Sequence, residues 1–192
     1  MKTLFTLHAG EVIAGEHIQH EYKNVKVWVP AKDTGVDLLV TGKDYKKALA
    51  LQVKFSKDHL STKNTAIRKK LRSYGWFTLD RRKIKSPLAP ADYWIFVLYG
   101  FESNSYDFVI IPPDELLRRI DAINRGEKER CDVRFWVTKG TTKEEGQCWD
   151  TNLLLKEDQL LIAEGEFKDK DRNFGEYLNN WSPIENLNGP AR

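Results

Sequence analysis

At 192 residues and a net charge of +3, the chain is long enough for one α/β domain with a sizeable core, and no Pro/Gly/Ser-rich linker divides it. No apolar run is long enough to cross a membrane and the N-terminus lacks a basic-then-apolar signal segment, so the expected location is the cytoplasm. The two cysteines, Cys131 and Cys148, lack Cys-x-x-Cys spacing, so neither a disulfide framework nor a structural zinc site is indicated.

The first predicted element is a helix from Leu7 to Tyr22, because Leu7, Glu11, Ala14, Ile18 and Tyr22 recur at helical spacing and form one stripe. Glu11 sits on that apolar stripe, whereas Glu16 is turned away from it. His17 and His20 have an i, i+3 spacing, but His-Ile-Gln-His-Glu is not the His-Glu-x-x-His of metalloproteases and the pair lies off the stripe. A strand over Val25 to Val29 ends at Pro30 and leads into the Lys32 to Gly35 turn.

Two short apolar strands follow. Gly35 to Val40 carries Asp37 in its interior, and Leu51 to Ser56 carries Gln52 and Lys54. Period-2 alternation puts Leu49, Leu51, Val53 and Phe55 on one face of the second strand and Gln52, Lys54 and Ser56 on the other. A lysine between Val53 and Phe55 is costly inside a strand unless its ammonium meets a polar cleft or an opposite charge. Asp37 is the candidate partner.

An aspartate, a short hairpin, then an acid or amide, one spacer and a lysine resembles the PD-(D/E)XK nuclease superfamily. The resemblance covers roughly the first third of the chain, and the order helix, strand, strand, strand, helix matches the αβββα core of those nucleases. It implies an α/β, restriction-endonuclease-like αβββαβ fold, with a central mixed sheet flanked by helices. It also implies metal ligation by Asp37, Gln52 and the Val53 carbonyl, a catalytic Lys54, and a further carboxylate from the first helix, Glu11 with Glu16 as the alternative. The cofactor implied is Mg²⁺, with Mn²⁺ as a substitute. Val36 stands where the superfamily commonly has proline. Gln52 stands where it commonly has an acid, a Gln-x-Lys variant that looks like the pattern of Mrr-type restriction enzymes and related small bacterial nucleases. An amide oxygen binds Mg²⁺ more weakly than a carboxylate.

Between Ser61 and Ser86 nine basic residues stand against the single acid Asp80, a local net charge of +8. Between Glu157 and Glu185 eight acids stand against Lys168, Lys170 and Arg172. A charge run is usually a solvated helix face. Beside a nuclease-like motif it is expected to track phosphates, with Arg68, Lys69 and Arg72 as the contact residues. Trp76 and Phe77 read either as base-stacking residues or as an aromatic pair anchoring a helix end to the core. His59, in a polar loop five residues past Lys54, reads as solvated, as a phosphate contact or as a residue entering the site.

Asp92 to Tyr99 and Tyr106 to Ile111 read as core strands joined by a polar turn, and Pro112 to about Ile123 as a helix opened by proline and acids. Arg130 to Val137 is a further strand. Beyond it Trp149, Leu153 to Leu155, Leu160 to Ala163 and Trp181 suggest short helices. The organisation expected is a nuclease-like core over residues 1–150 and a C-terminal elaboration over 151–192 packed on the same domain.

These features point to a Mg²⁺-dependent endonuclease acting on double-stranded DNA in restriction, phage defence or repair, as a homodimer if both strands are cut. A nuclease-fold module that only binds nucleic acid is the competing reading, and an RNA-processing enzyme on the same fold a weaker one.

Overall fold

Alternation of buried and exposed residues along the strands organises the molecule into two sheets. The computed structural model describes residues 8–31, 35–60, 69–84, 91–123, 129–139, 148–150, 161–162 and 164–188. Helix α1 (Ala9–Glu21) is followed by the antiparallel meander β1 (Val25–Trp28), β2 (Leu38–Gly42) and β3 (Ala48–Ser56). The chain then forms β4 (Leu71–Asp80), the short helix α2 (Arg81–Ile84), β5 (Tyr93–Gly100), β6 (Ser105–Ile111) and α3 (Pro113–Ile123). Strands β7 (Arg130–Thr138) and β8 (Cys148–Asp150) and the helix α4 (Ser182–Glu185) complete the regular elements used below.

The central sheet is mixed and five-stranded, in the order β1-β2-β3-β5-β6. Among the described strands of this sheet, only β3 and β5 pair in parallel. The crossover from β3 to β5 carries β4, which pairs instead with β7 in a second sheet of order β4-β7-β8. Central strand β5 is covered on both faces, which is why its sequence is a continuous apolar run. On one face Ile95 and Val97 pack with Leu51 and Val53 of β3, Ala14 and Ile18 of α1, and Trp181 and Ile184 near the C-terminus. On the other, Trp94, Phe96 and Leu98 meet Phe77 and Leu79 of β4, Phe135 of β7 and Leu116 and Ile120 of α3. Phe96 is fully buried there, and truncating such a ring to alanine typically costs about 3–5 kcal/mol.

The region after β3 departs from the sequence expectation. Lys69 and Lys70 are helical, but Leu71 and Arg72 already belong to β4, so Gly75, Trp76 and Phe77 lie mid-strand and not at a helix end. Ser73, Gly75, Phe77 and Leu79 turn inward, while Trp76 and Thr78 turn outward. Gly75 has to lack a side chain, because a Cβ there would stand 2.8 Å from the Phe77 ring and 3.0 Å from Leu98. Trp149 likewise falls on a strand, β8, and not on a helix.

The described C-terminal residues enter both cores, through Phe174 on one side and Trp181, Ile184 and Leu187 on the other. Asn179 closes the open edge of β6: its backbone N–H donates to the Phe108 carbonyl at 2.6 Å and its side-chain oxygen accepts from the Phe108 N–H at 2.9 Å. Arg119 of α3 reinforces the join. Its guanidinium pairs with Glu115 and Glu176, donates to the Lys170 carbonyl, and lies over the rings of Phe174 and Tyr177. No described helix is long and apolar enough to cross a membrane.

Candidate active site

Asp37 stands immediately before β2, at the point where β2 stops covering β3. The last paired residues are Leu38 and Leu51, so among the described residues no strand ladders the outer edge of β3 from Gln52 onward. Asp37 closes that edge with its own groups. Its backbone N–H donates to the Leu51 carbonyl at 2.9 Å, and its Oδ2 accepts the Val53 N–H at 2.7 Å and the Gln52 side-chain amide. The carboxylate thus occupies the place that the next strand carbonyl would fill. It also holds the Gln52 amide beside it.

Gln52 and Lys54 share one face of β3, opposite Leu51 and Val53 as alternation requires, and both are half-buried. In the parallel register with β5 their partners are Trp94 and Phe96. The Lys54 ammonium lies over the Trp94 ring, 5.6 Å from its centroid, a cation–π arrangement that orients the side chain. Trp94 is a contributor the sequence did not reveal, since only the β3–β5 register brings it beneath the lysine.

Helix α1 delivers the third group. Glu11, Ala14 and Ile18 of the predicted stripe form its buried side together with Gly10, while Tyr22 is the half-buried C-cap and Leu7 lies outside the described residues; Glu11 is only 8% exposed. The His8 backbone N–H donates to Glu11 Oε2 at 3.3 Å, tying the carboxylate to the helix start. Loss of solvent raises the Glu11 pKa, and the Asp37 charge adds to that rise. The His8 N–H, the His8 ring and the Lys54 charge oppose it. Glu11 therefore feels both Asp37 and Lys54, whereas Glu16 is exposed.

The basic segment divides. Arg68 lies outside the described residues, and Lys69 is exposed. Arg72 is a correction to the expected phosphate-contacting set, because it is 8% exposed and committed to Asp107, itself 1% exposed. Its Nε donates to Asp107 Oδ2 at 2.9 Å and its Nη2 lies 2.6 Å from Oδ1, while Ser73 Oγ donates to the same carboxylate at 3.0 Å. A guanidinium held in this way is part of the core. His17 also turns inward, packed against Phe108 and Trp181 with both ring centroids at 4.7 Å, and His20 pairs with Glu21 at the surface.

No protein-family model matches the chain, and neither a curated protein nor a solved structure matches it. The site is therefore read from its own chemistry. Among the described residues no cluster of three or more His, Cys, Asp or Glu side chains is present, so a cation here would rest on two carboxylates with amide and backbone oxygens. That donor set suits a hard, oxygen-seeking cation such as Mg²⁺ and not a thiolate- or imidazole-seeking one. A desolvated Glu11 that feels the Asp37 charge is the kind of carboxylate that such a cation would relieve. A half-turn of the Gln52 amide exchanges its donor for its oxygen without moving the backbone.

Proposed function

We propose that this chain is a metal-dependent endonuclease of the PD-(D/E)XK type, with a restriction-endonuclease-like fold, that hydrolyses phosphodiester bonds of double-stranded DNA. The observation that carries the reading is the convergence at one strand edge: Asp37 bonded to Gln52 and to the Val53 N–H, Lys54 on the same face as Gln52, and Glu11 buried within the electrostatic reach of both charges. Those residues come from helix α1, the segment before β2, and β3. Helix α1 packs on the Leu51 and Val53 face of β3, opposite Gln52 and Lys54, and from there the buried Glu11 carboxyl feels the Asp37 and Lys54 charges.

Phosphodiester hydrolysis needs an activated water and stabilisation of the charge that grows on the phosphate oxygens. Asp37, Glu11, the Gln52 Oε1 and the Val53 carbonyl would hold one or two Mg²⁺ ions, with Mn²⁺ as a substitute. When bound, such an ion polarises the phosphate and makes water more acidic. The Lys54 ammonium, steered by the Trp94 ring, carries a fixed positive charge to the developing phosphate charge or to the attacking water. Exposed Lys69 supplies a phosphate contact away from the chemistry. Cleavage of both strands of a duplex would draw on two copies of the site, supplied by a homodimer.

The competing reading is a binding module on the same fold, and one observation favours it. Asp37 caps the edge of β3 through the Val53 N–H, which alone accounts for an aspartate at that position. Supercoiled plasmid incubated with Mg²⁺, with Mn²⁺ and with chelator separates the two. Metal-dependent nicking or linearisation supports the nuclease, and binding without cleavage under every condition supports the module.

A further inference from the structure

The outer face of the second sheet carries an aromatic residue that the proposed chemistry leaves unused. Trp76 of β4 is 43% exposed, whereas the aromatic pair beside it on that face is covered: Tyr74 stacks on Trp136 at 4.0 Å, and Leu60, Ile162 and Phe167 close over that pair. The guanidinium of Arg134, the cross-strand partner of Trp76 on β7, lies 4.4 Å from the indole centroid. The His59 ring meets the same indole at 60° with centroids 6.1 Å apart, and His59 is exposed. The His59 segment is fixed along the edge of β4, since the His59 N–H donates to the Tyr74 carbonyl at 2.9 Å.

This group is tethered to the strand that bears Lys54. The Trp76 backbone N–H donates to Ser56 Oγ at 2.9 Å, and Ser56 lies two residues beyond Lys54 on β3, a separation of about 7 Å along a strand, while the indole turns to the outer face of β4. Among the described residues the charges nearby balance, two basic against two acidic, and differ in where they are turned. Arg134 and the exposed Lys57 are basic, while the two acids of the neighbourhood are turned to protein donors: Asp132 accepts the Thr78 hydroxyl at 2.7 Å, and Asp58 accepts the N–H groups of Leu60, Tyr74 and Phe101.

We propose that Trp76, braced by Arg134 and walled by His59, is a stacking platform for an unpaired nucleobase next to the cleavage site. The proposal rests on the nuclease reading for its biological sense, but it concerns binding and not the chemistry. An exposed indole with a cation fixed against it, on a strand whose backbone is hydrogen-bonded to the strand that carries the site, is an arrangement by which proteins hold single-stranded nucleotides. The preferred substrate would then carry an unpaired or frayed nucleotide beside the scissile position. A fully paired blunt duplex offers the indole no open base face.

The test is binding in chelator, so that cleavage plays no part. Fluorescence anisotropy is measured with a labelled thymidine 12-mer, with an abasic sugar-phosphate strand of the same length, and with a blunt duplex. The wild-type protein should prefer the base-bearing strand over the abasic one by about 5- to 150-fold, the range that one base–aromatic stack supplies, with quenching of tryptophan emission. Trp76→Leu should bring the ratio close to one, and Trp76→Phe should keep part of it. The ratio is taken within each protein, so a smaller folded fraction in a variant does not alter it.

An undiminished ratio in Trp76→Leu, a wild-type ratio near one, or no binding of any strand overturns the platform. The two readings fail separately. Plasmid cleavage with no base preference leaves the nuclease standing without the platform, and a base preference lost in Trp76→Leu with no cleavage under any metal leaves the platform standing without the nuclease.

Discussion

Gly10 and Phe55 meet so closely that a Cβ built on Gly10 would stand 2.7 Å from the Phe55 Cβ and 3.4 Å from a Val53 methyl. Helix α1 can lie against β3 only because residue 10 has no side chain, and the next residue along the helix is Glu11. Gly10→Ala should therefore displace the start of α1 and carry Glu11 away from Asp37. The expected destabilisation is about 1–3 kcal/mol, typical of overpacking, accompanied by a loss of metal-dependent cleavage. A thermal melt and a plasmid assay on the same preparation check it, and an unchanged melting temperature would show that the contact is not tight.

The raised pKa of Glu11 fixes the sign of its effect on stability. A carboxyl that holds its proton more tightly when folded contributes fully below its ordinary value of 4.5, and that contribution is lost as pH rises through its folded value. At pH 7 the ionised Glu11 thus weakens the fold. Glu11→Gln, which keeps an acceptor for the His8 N–H, should raise the melting temperature at pH 7 in chelator, with the gain vanishing below about pH 4.5. The same variant should lose Mg²⁺-dependent activity to a greater extent than Glu16→Gln. A lower melting temperature for Glu11→Gln at pH 7 would contradict the account.

Arg72 and Lys69 should separate structure from binding. Removing one partner of a buried ion pair typically costs about 3–5 kcal/mol, so Arg72→Gln should melt far below the wild type. Lys69→Gln should melt normally and flatten the slope of log affinity against log salt by about one unit. Denaturant unfolding and salt-dependent DNA binding of the two single variants give the answer, and the reverse assignment of effects would place Arg72 in the nucleic-acid interface.

Much of the central sheet was legible because its strands obey simple rules. Alternation along β3 placed Gln52 and Lys54 together, the stripe on α1 singled out Glu11 over Glu16, and the unbroken apolar run of β5 announced a strand covered on both faces. Strand β4 was obscured because its inward positions include Ser73 and Gly75, which carry little apolar signal, while Lys69 to Arg72 resemble a basic helix face. Arg72 looked like a phosphate ligand because its partner Asp107 lies 35 residues away on β6, a pairing that no local spacing encodes. The Trp94 ring beneath Lys54 depends on the β3–β5 register and was hidden for the same reason.

Gln52 now has a defined neighbour. Its amide donates to Asp37 Oδ2, so Gln52→Glu would replace an attraction by two facing carboxylates. In chelator that variant should melt below the wild type. On addition of Mg²⁺ it should gain a larger rise in melting temperature and reach half-maximal cleavage at a lower Mg²⁺ concentration, since an acid binds the ion more strongly than an amide. Differential scanning fluorimetry over a Mg²⁺ series measures this directly. An equal Mg²⁺ response in both proteins would remove Gln52 from the ligand set.

The most direct test of the nuclease assignment is a Mg²⁺ titration of one supercoiled plasmid with wild type, Asp37→Asn and Lys54→Ala. Asparagine keeps the shape of Asp37 and an oxygen for the Val53 N–H, so an edge-capping role survives while the charge is lost. The account predicts Mg²⁺-dependent nicking or linearisation by the wild type, none by Asp37→Asn, and a rate lowered by about 10²–10³-fold in Lys54→Ala. Full activity in Asp37→Asn, or no cleavage by the wild type of any nucleic acid with Mg²⁺ or Mn²⁺, would contradict it.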